Sequence, residues 1–222
     1  GATAFRATEA ALGLAAAGTA GALLLGYPMA CVMATARPGR RVILMVLVIL
    51  PFWTALLIRI YAWIAILANE GLLNRLLLSL GLIEAPLALL YTPFAVGLGI
   101  VYGYLPFMVL PLYATLVRLD PDLLEAAADL GCRPLEAFLR VTLPLSMPGV
   151  LAGSLLVFIP AAGEFVIPDL LGGPDTLLIG NLLWMEFFTN RDWPLASALA
   201  VLLLALLVGP ILLLQRVEGK GT

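Results

Sequence analysis

Residues 118–148 read RLDPDLLEAAADLGCRPLEAFLRVTLPLSMP, the longest polar interruption in an otherwise oily chain. Asp120 followed by Pro121 marks a helix start: the acid caps, and proline takes the first helical position, where a backbone N–H is not missed. The helix then runs to Leu130, and Gly131 supplies the left-handed residue that stops it. Pro134 opens a second helix, which Pro144 is expected to end. Leu123, Ala126, Ala127 and Leu130 fall on one stripe of the first helix, and Asp122, Glu125 and Asp129 on another. In the second, Leu135, Phe138 and Leu139 face one way, while Glu136 and Arg140 stand four residues apart on the surface. Two short amphipathic helices joined at a glycine are expected, either as a solvated loop or as a surface that wants a partner.

The rest of the chain wants a bilayer. Of its 222 residues 63% are hydrophobic and 12% charged, against about half and about a quarter in soluble domains. A net charge of −2, with no basic cluster beyond Arg37, Arg40 and Arg41, argues against nucleic acid as a partner. Histidine is absent, which removes the commonest metal ligand and the usual general base. No metal-ligand cluster and no nucleophile–base arrangement is read, so an enzyme active site is not expected. Cys31 and Cys132 are expected as two packed, reduced thiols.

A membrane helix needs about 20 mainly apolar residues. Five segments qualify, roughly 9–33, 42–68, 90–117, 149–171 and 195–215, giving an all-α polytopic protein whose single membrane domain covers 1–222. Gly99/Gly103 and Gly149/Gly153 have the spacing that lets helices approach closely. Pro51, Pro106, Pro111 and Pro160 fall inside spans and predict kinks. Arg37, Arg40, Arg41, Arg118, Arg133, Arg140, Arg216 and Lys220 collect on one side, and only Arg6, Arg75 and Arg191 on the other. The first side is therefore expected in the cytosol, with residues 118–148 and the C-terminus. Five spans then leave the N-terminus outside without a signal to take it there, so a further helix before Gly1 is expected. Two outer loops carry structure of their own: an amphipathic stretch within 70–90, and 177–188, short enough for a partly inserted helix.

The motif inside the polar run resembles a known one. Glu125-Ala126-Ala127, three residues, Gly131, nine residues, then Val141-x-Leu143-Pro144 is similar to the "EAA" coupling motif of ATP-binding-cassette importer permeases. Phe138 and Pro148 match as well, and Val141 stands where that family prefers Ile. The resemblance implies a type I importer permease fold, with the helix pair docked in a groove of an ATPase subunit whose ATP-driven closure moves the membrane helices. The chain has no G-x-x-x-x-G-K-[ST] loop, so it holds no cofactor itself; ATP and Mg belong to a dimer of partner ATPases.

Further stretches narrow the resemblance. LIRIYAWIAIL (57–67), YLPFMVLPLYATL (104–116), VFIPAAGEFVIPDLLGGPDTLLIGNLL (157–183) and EFFTNRDWPLASA (186–198) are similar to the putrescine/spermidine importer permeases, a likeness running over about 25–210. "YAW" and "GEFVIP" resemble the putrescine-specific branch more. This implies a bacterial inner-membrane location, a second homologous permease, an external polyamine-binding protein, and lipid around the apolar helices.

A polyamine is a flexible cation that needs carboxylates for its charge and aromatic faces for its ammoniums and methylenes. Glu164, read at roughly 22 Å from the cytosolic end of its span, either lines the path or pairs with Arg59. Pro160 and Gly163 should loosen the helix beside it. Asp169 reads as a gate or as a solvated helix-end acid. Glu186, also a pathway candidate, and Asp192 serve the outer loop or the docking of a binding protein. Tyr61, Trp63 and Trp184 form an aromatic wall or an interfacial belt, and Arg59 alternatively snorkels outward. The rivals are the same fold carrying another small solute (spermidine, an amino-acid derivative, an inorganic ion) and an ATP-independent secondary transporter, which should show internal repeats and no coupling helices.

Overall fold

Segments too apolar for water must satisfy their backbone N–H and C=O groups internally, and this chain does so with helices. The computed structural model describes the backbone of residues 2–173, 176 and 178–218, and the side chains of 5–173, 176 and 178–209. No strand occurs among the described residues. The order is α1 (Ala2–Thr35), α2 (Pro38–Ile49), a 3₁₀ turn (Leu50–Trp53), α3 (Leu56–Leu67), α4 (Leu72–Ser79) and α5 (Pro93–Leu116). Then come α6 (Asp122–Asp129), α7 (Pro134–Ala137), a π turn (Phe138–Thr142), α8 (Leu143–Ala162) and α9 (Val166–Leu171). The chain closes with α10 (Ile179–Trp184), a second π turn (Met185–Thr189) and α11 (Trp193–Glu218).

Among the described residues four helical stretches are long and apolar enough to cross a membrane: Phe5–Thr35, Leu56–Ser79, Pro93–Leu116 and Pro134–Ala162. In α11 the described residues Trp193–Gly209 form a shorter apolar helix. The stretch expected as one span over 42–68 is broken. Pro51 offers no N–H for an α-helical bond, the chain tightens into the 3₁₀ turn, and Ala55 is extended (ψ 139°) before α3 begins. Pro106, Pro111 and Pro160, by contrast, lie inside α5 and α8 without interrupting them.

The chain divides into two compact units. One comprises Ala20–Trp53 and Tyr104–Val157. Its core is formed by Ala22, Ala30 and Met33 of α1, Met108, Val109 and Leu112 of α5, and Val157 of α8. Here the small residues matter: a Cβ on Gly149 would lie 2.6 Å from Thr115 Oγ1, and one on Gly153 2.9 Å from Met108 Sδ. The glycine spacing read in the sequence is where α8 lies directly on α5.

The other unit comprises Gly1–Thr19, Thr54–Gly103 and Phe158–Thr222. In it α3 packs on α4 and α9, and α10 on α9 and α11. Leu67, Ile100, Ile167 and Leu171 are fully buried there. The short amphipathic helix expected within 70–90 is α4, and a buried Asn74 fastens it. Its Nδ2 donates to Leu87 O (2.9 Å) and its Oδ1 accepts from Leu87 N–H (2.9 Å), so one amide clamps both backbone groups of a residue in the following loop. Cys31 and Cys132 are free thiols.

Candidate functional site

The polar run begins as its sequence dictates. Asp120 Oδ1 accepts from Asp122 N–H (3.1 Å), and α6 follows. It ends on Gly131, φ +81°, with Cys132 N–H donating to Ala127 O (3.0 Å) and Gly131 N–H to Ala128 O (2.9 Å). That pair of bonds is a Schellman closure, and it requires the left-handed residue at its centre. A Cβ at Gly131 would meet nothing within 4 Å, so glycine is needed for the sign of φ and not for room. Arg133 N–H then donates to Glu136 Oε2 (3.1 Å), fixing the start of α7.

Pro144 does not end the second helix. Residues 138–142 widen into the π turn, Leu143 N–H reaches Phe138 O, and α8 runs on as far as Ala162. Proline crowds the carbonyl four residues back, here Arg140, and one surplus residue in the turn moves that carbonyl aside. The second helix of the pair and a membrane-length helix are therefore one run, Pro134–Ala162.

The apolar stripes of this foot divide between two jobs. Ala127 and Ala137 are buried. Phe138 is half-buried and meets Tyr27 of α1 edge-on (5.5 Å between ring centres, 86°), and the Tyr27 hydroxyl hydrogen-bonds Ser146 Oγ at 2.7 Å. The larger side chains face out: Leu130 is 86% exposed and Leu135 69%, with Leu123, Leu124 and Leu139 also exposed. Glu125 and Ala126 lie exposed beside them; Leu143 is half-buried and Pro144 exposed. A groove of about 300 Å³ runs between the two helices, lined by Leu124, Ala128, Cys132, Pro134, Ala137 and Phe138.

The second constellation surrounds Glu164. The span expected over 149–171 ends at Ala162, and Glu164 lies in the break before α9 rather than within a helix. Its buried Oε1 accepts from the N–H groups of Phe165 (3.2 Å) and Val166 (3.0 Å), so the carboxylate caps α9. Helix α10 presses on this break. A Cβ on its Gly180 would fall 2.6 Å from Glu164 O and 2.8 Å from Gly163 O. The neighbouring Asn181 donates from Nδ2 to Phe165 O (3.2 Å), while its Oδ1 is buried with no hydrogen-bond partner among the described residues. Arg59, 9% exposed, sits on α3, which packs on α9.

The aromatic residues sort differently from the expected wall. Trp184 stacks on Phe165 (4.7 Å, 10°) and leans on Phe188 (4.2 Å). Trp63 instead meets Tyr102 edge-on (5.5 Å), and Tyr61 is exposed. Among the described residues no ring contact joins Trp184 to Tyr61 or Trp63. Glu186 accepts from Asn190 Nδ2 (2.9 Å), and Asp192 caps α11 through Leu195 N–H (3.1 Å), so both acids brace the turn into that helix.

Beside Trp184 opens a cavity of about 550 Å³ whose lining includes Tyr91, Phe165, Asp169, Thr176, Asn181 and Trp184. Asp169, an expected pathway residue, is exposed at its wall. Tyr91 holds φ +61°, uncommon for a residue with a side chain, and a Cβ on Gly173 would lie 2.5 Å from its carbonyl oxygen. Tyr91 and Asn181 were not legible as site residues; the available signal was the Gly172-Gly173 pair, which marks a close backbone approach.

Residues 22–217 match the family described as "Binding-protein-dependent transport system inner membrane component". The chain is 49% identical over 189 residues to the spermidine/putrescine transport system permease protein PotB of Haemophilus influenzae, covering 84% of this chain and 66% of that one. It is 47% identical over 192 residues to the PotB of Escherichia coli, covering 86% and 70%. Among solved structures, a bacterial ABC transporter that imports the acidic polysaccharide alginate superposes with a TM-score of 0.72 at 21% identity, over 96% of this chain and 79% of that one, a likeness of fold. With the fold of an ABC importer permease and a family match spanning nearly its whole length, the chain belongs to the inner-membrane components of binding-protein-dependent transport systems.

Proposed function

We propose that this chain is one of two permease subunits of an ATP-driven polyamine importer, with putrescine as cargo, in a bacterial inner membrane. The observation that carries the reading is the outward-facing apolar foot, continuous through Pro134–Ala162 with a membrane-length helix, in a chain of this family. Leu130, Leu135 and Leu139 leave apolar surface bare that a cytosolic ATPase subunit would cover. Glu125, Ala126, Ala127 and Gly131 shape the gripped helix; Phe138 ties it to α1 through Tyr27; Leu143 and Pro144 carry the movement into α8. ATP and Mg are bound and turned over by the ATPase pair. An external binding protein delivers the cation, and a second homologous permease completes the path. The foot and the C-terminus lie in the cytosol. The names of the two relatives, and the stretches "YAW" (61–63) and "GEFVIP" (163–168), support the cargo class.

Reconstitution tests this reading. The full complex in lipid discs, given ATP, should hydrolyse faster with putrescine-loaded binding protein than with empty protein, and less fast with spermidine-loaded protein. Stimulation by neither polyamine would end the cargo assignment. Glu164 supplies a second arm. Glu164→Gln keeps an oxygen that caps α9 and loses only the charge, so putrescine uptake should fall about tenfold or more while basal hydrolysis holds. Unchanged uptake would remove Glu164 from the path.

A further inference from the structure

We propose that the groove between α1 and α2 holds an acyl chain of an anionic phospholipid whose phosphate lies on Arg37 and Arg40, a site independent of the cargo. The groove, about 410 Å³, opens where the membrane-length stretch Phe5–Thr35 ends. Pro28, Met29 and Val32 form one wall, and Leu44, Leu47 and Val48 the other. Its lining side chains are all apolar, and Val32 and Leu47 stand 58% and 57% exposed. No residue of α2 is buried, so this helix leaves apolar surface for an occupant to cover.

Charge gathers at one end of the groove. The chain turns from α1 into α2 through Arg37, and Arg40 stands one helical turn, about 6 Å, before Leu44 on the same face of α2. Arg41 is engaged in the turn itself. Its Nη2 donates to Ala34 O (2.8 Å), one of the last carbonyls of α1, and this bond fixes the hairpin that carries the other two arginines. Arg37 and Arg40 are exposed, and neither side chain has a hydrogen bond or ion pair among the described residues. No Asp or Glu occurs between Glu9 and Glu70 to neutralise them. A Cβ on Gly39, which lies between the two, would meet nothing within 4 Å, so a head group has room there.

An occupant that suits both parts is negative at one end and apolar along the rest. Free phosphate would use the arginines and leave the groove bare. An apolar helix of another subunit would fill the groove and leave two cations without a counter-ion. An anionic phospholipid does both: its phosphate matches the guanidinium forks, and its chain lies along the apolar walls.

Photo-crosslinking tests the site on the complete transporter in phosphatidylcholine discs. A trace of phosphatidylglycerol or phosphatidylcholine carrying a diazirine in one acyl chain is added, and the labelled peptides are mapped. The phosphatidylglycerol probe should label residues 28–48 about fivefold or more above the phosphatidylcholine probe. Arg37→Gln with Arg40→Gln, both at exposed positions, should bring the two probes within about twofold of each other. Val32→Trp plugs the groove and should cut labelling of 28–48 by both probes. The variants should elute from size exclusion as wild type does, because none touches a buried residue. Equal labelling by the two probes in wild type, or a preference that survives the double glutamine change, overturns the proposal. So does loss of that preference to inorganic phosphate but not to chloride at the same ionic strength, which would reveal a site for the free ion. No labelling of 28–48 by either probe would show the groove covered by protein, and overturns it as well.

Discussion

Gly131→Val should cut ATP-driven uptake at least tenfold while the transporter still assembles and hydrolyses ATP. The foot is held closed by two hydrogen bonds that need φ near +81° at this residue. An L-residue pays about 1–2 kcal/mol there, and a β-branched one more, enough to open the turn in a large fraction of molecules. Bulk is not the cause, since a Cβ would find open space. The effect should therefore rank by tolerance of the left-handed region: Asn and Asp close to Gly, Ala intermediate, Val worst. Uptake and hydrolysis per assembled complex, measured side by side in proteoliposomes, check the ranking. A valine variant that transports like wild type would show that the closed turn plays no part in force transfer.

Gly180→Ala should lower the melting temperature of the purified complex by several degrees. The new methyl carbon would sit 2.6 Å from Glu164 O and 2.8 Å from Gly163 O, and backbone atoms cannot swing aside as a side-chain tip can. Overpacking of this kind costs about 1–3 kcal/mol. In a chain of this size each kcal/mol is worth roughly 2–4 °C. Because Asn181 follows directly, α10 moving away would also break its bond to Phe165 O and weaken uptake. Gly163→Ala is the control: its nearest neighbours lie 3.9 Å off, so its melting should stay close to wild type. Equal melting for Gly180→Ala would mean that α10 does not touch the break.

Comparing these two glycines shows what a sequence can and cannot disclose. Gly131 was legible because its signals are local: Asp120-Pro121 before it, an apolar stripe up to Leu130, Pro134 after it. Gly180 was not, because the atoms that demand it belong to Gly163 and Glu164 on another element. The same reason hides Tyr91 and Asn181, which the fold brings to one cavity from distant parts of the chain. The breaks at 54–55 and 163–165 escape a hydropathy reading because apolar composition continues across them; Pro51 and Gly163 were visible, but only as kinks. Pro144 was misread because the rule that proline ends a helix assumes unbroken α-helical bonding, and nothing in Phe-Leu-Arg-Val-Thr announces a wider turn.

The wide turn at 138–142 also acts as a protractor. Each residue of an ordinary helix adds about 100° of rotation and about 1.5 Å of advance. The single surplus residue thus decides the compass bearing at which the exposed face of the foot leaves the long helical run. That bearing is stored in an integer, the number of residues in the turn, so the exposed side chains of the foot can be exchanged without swivelling it.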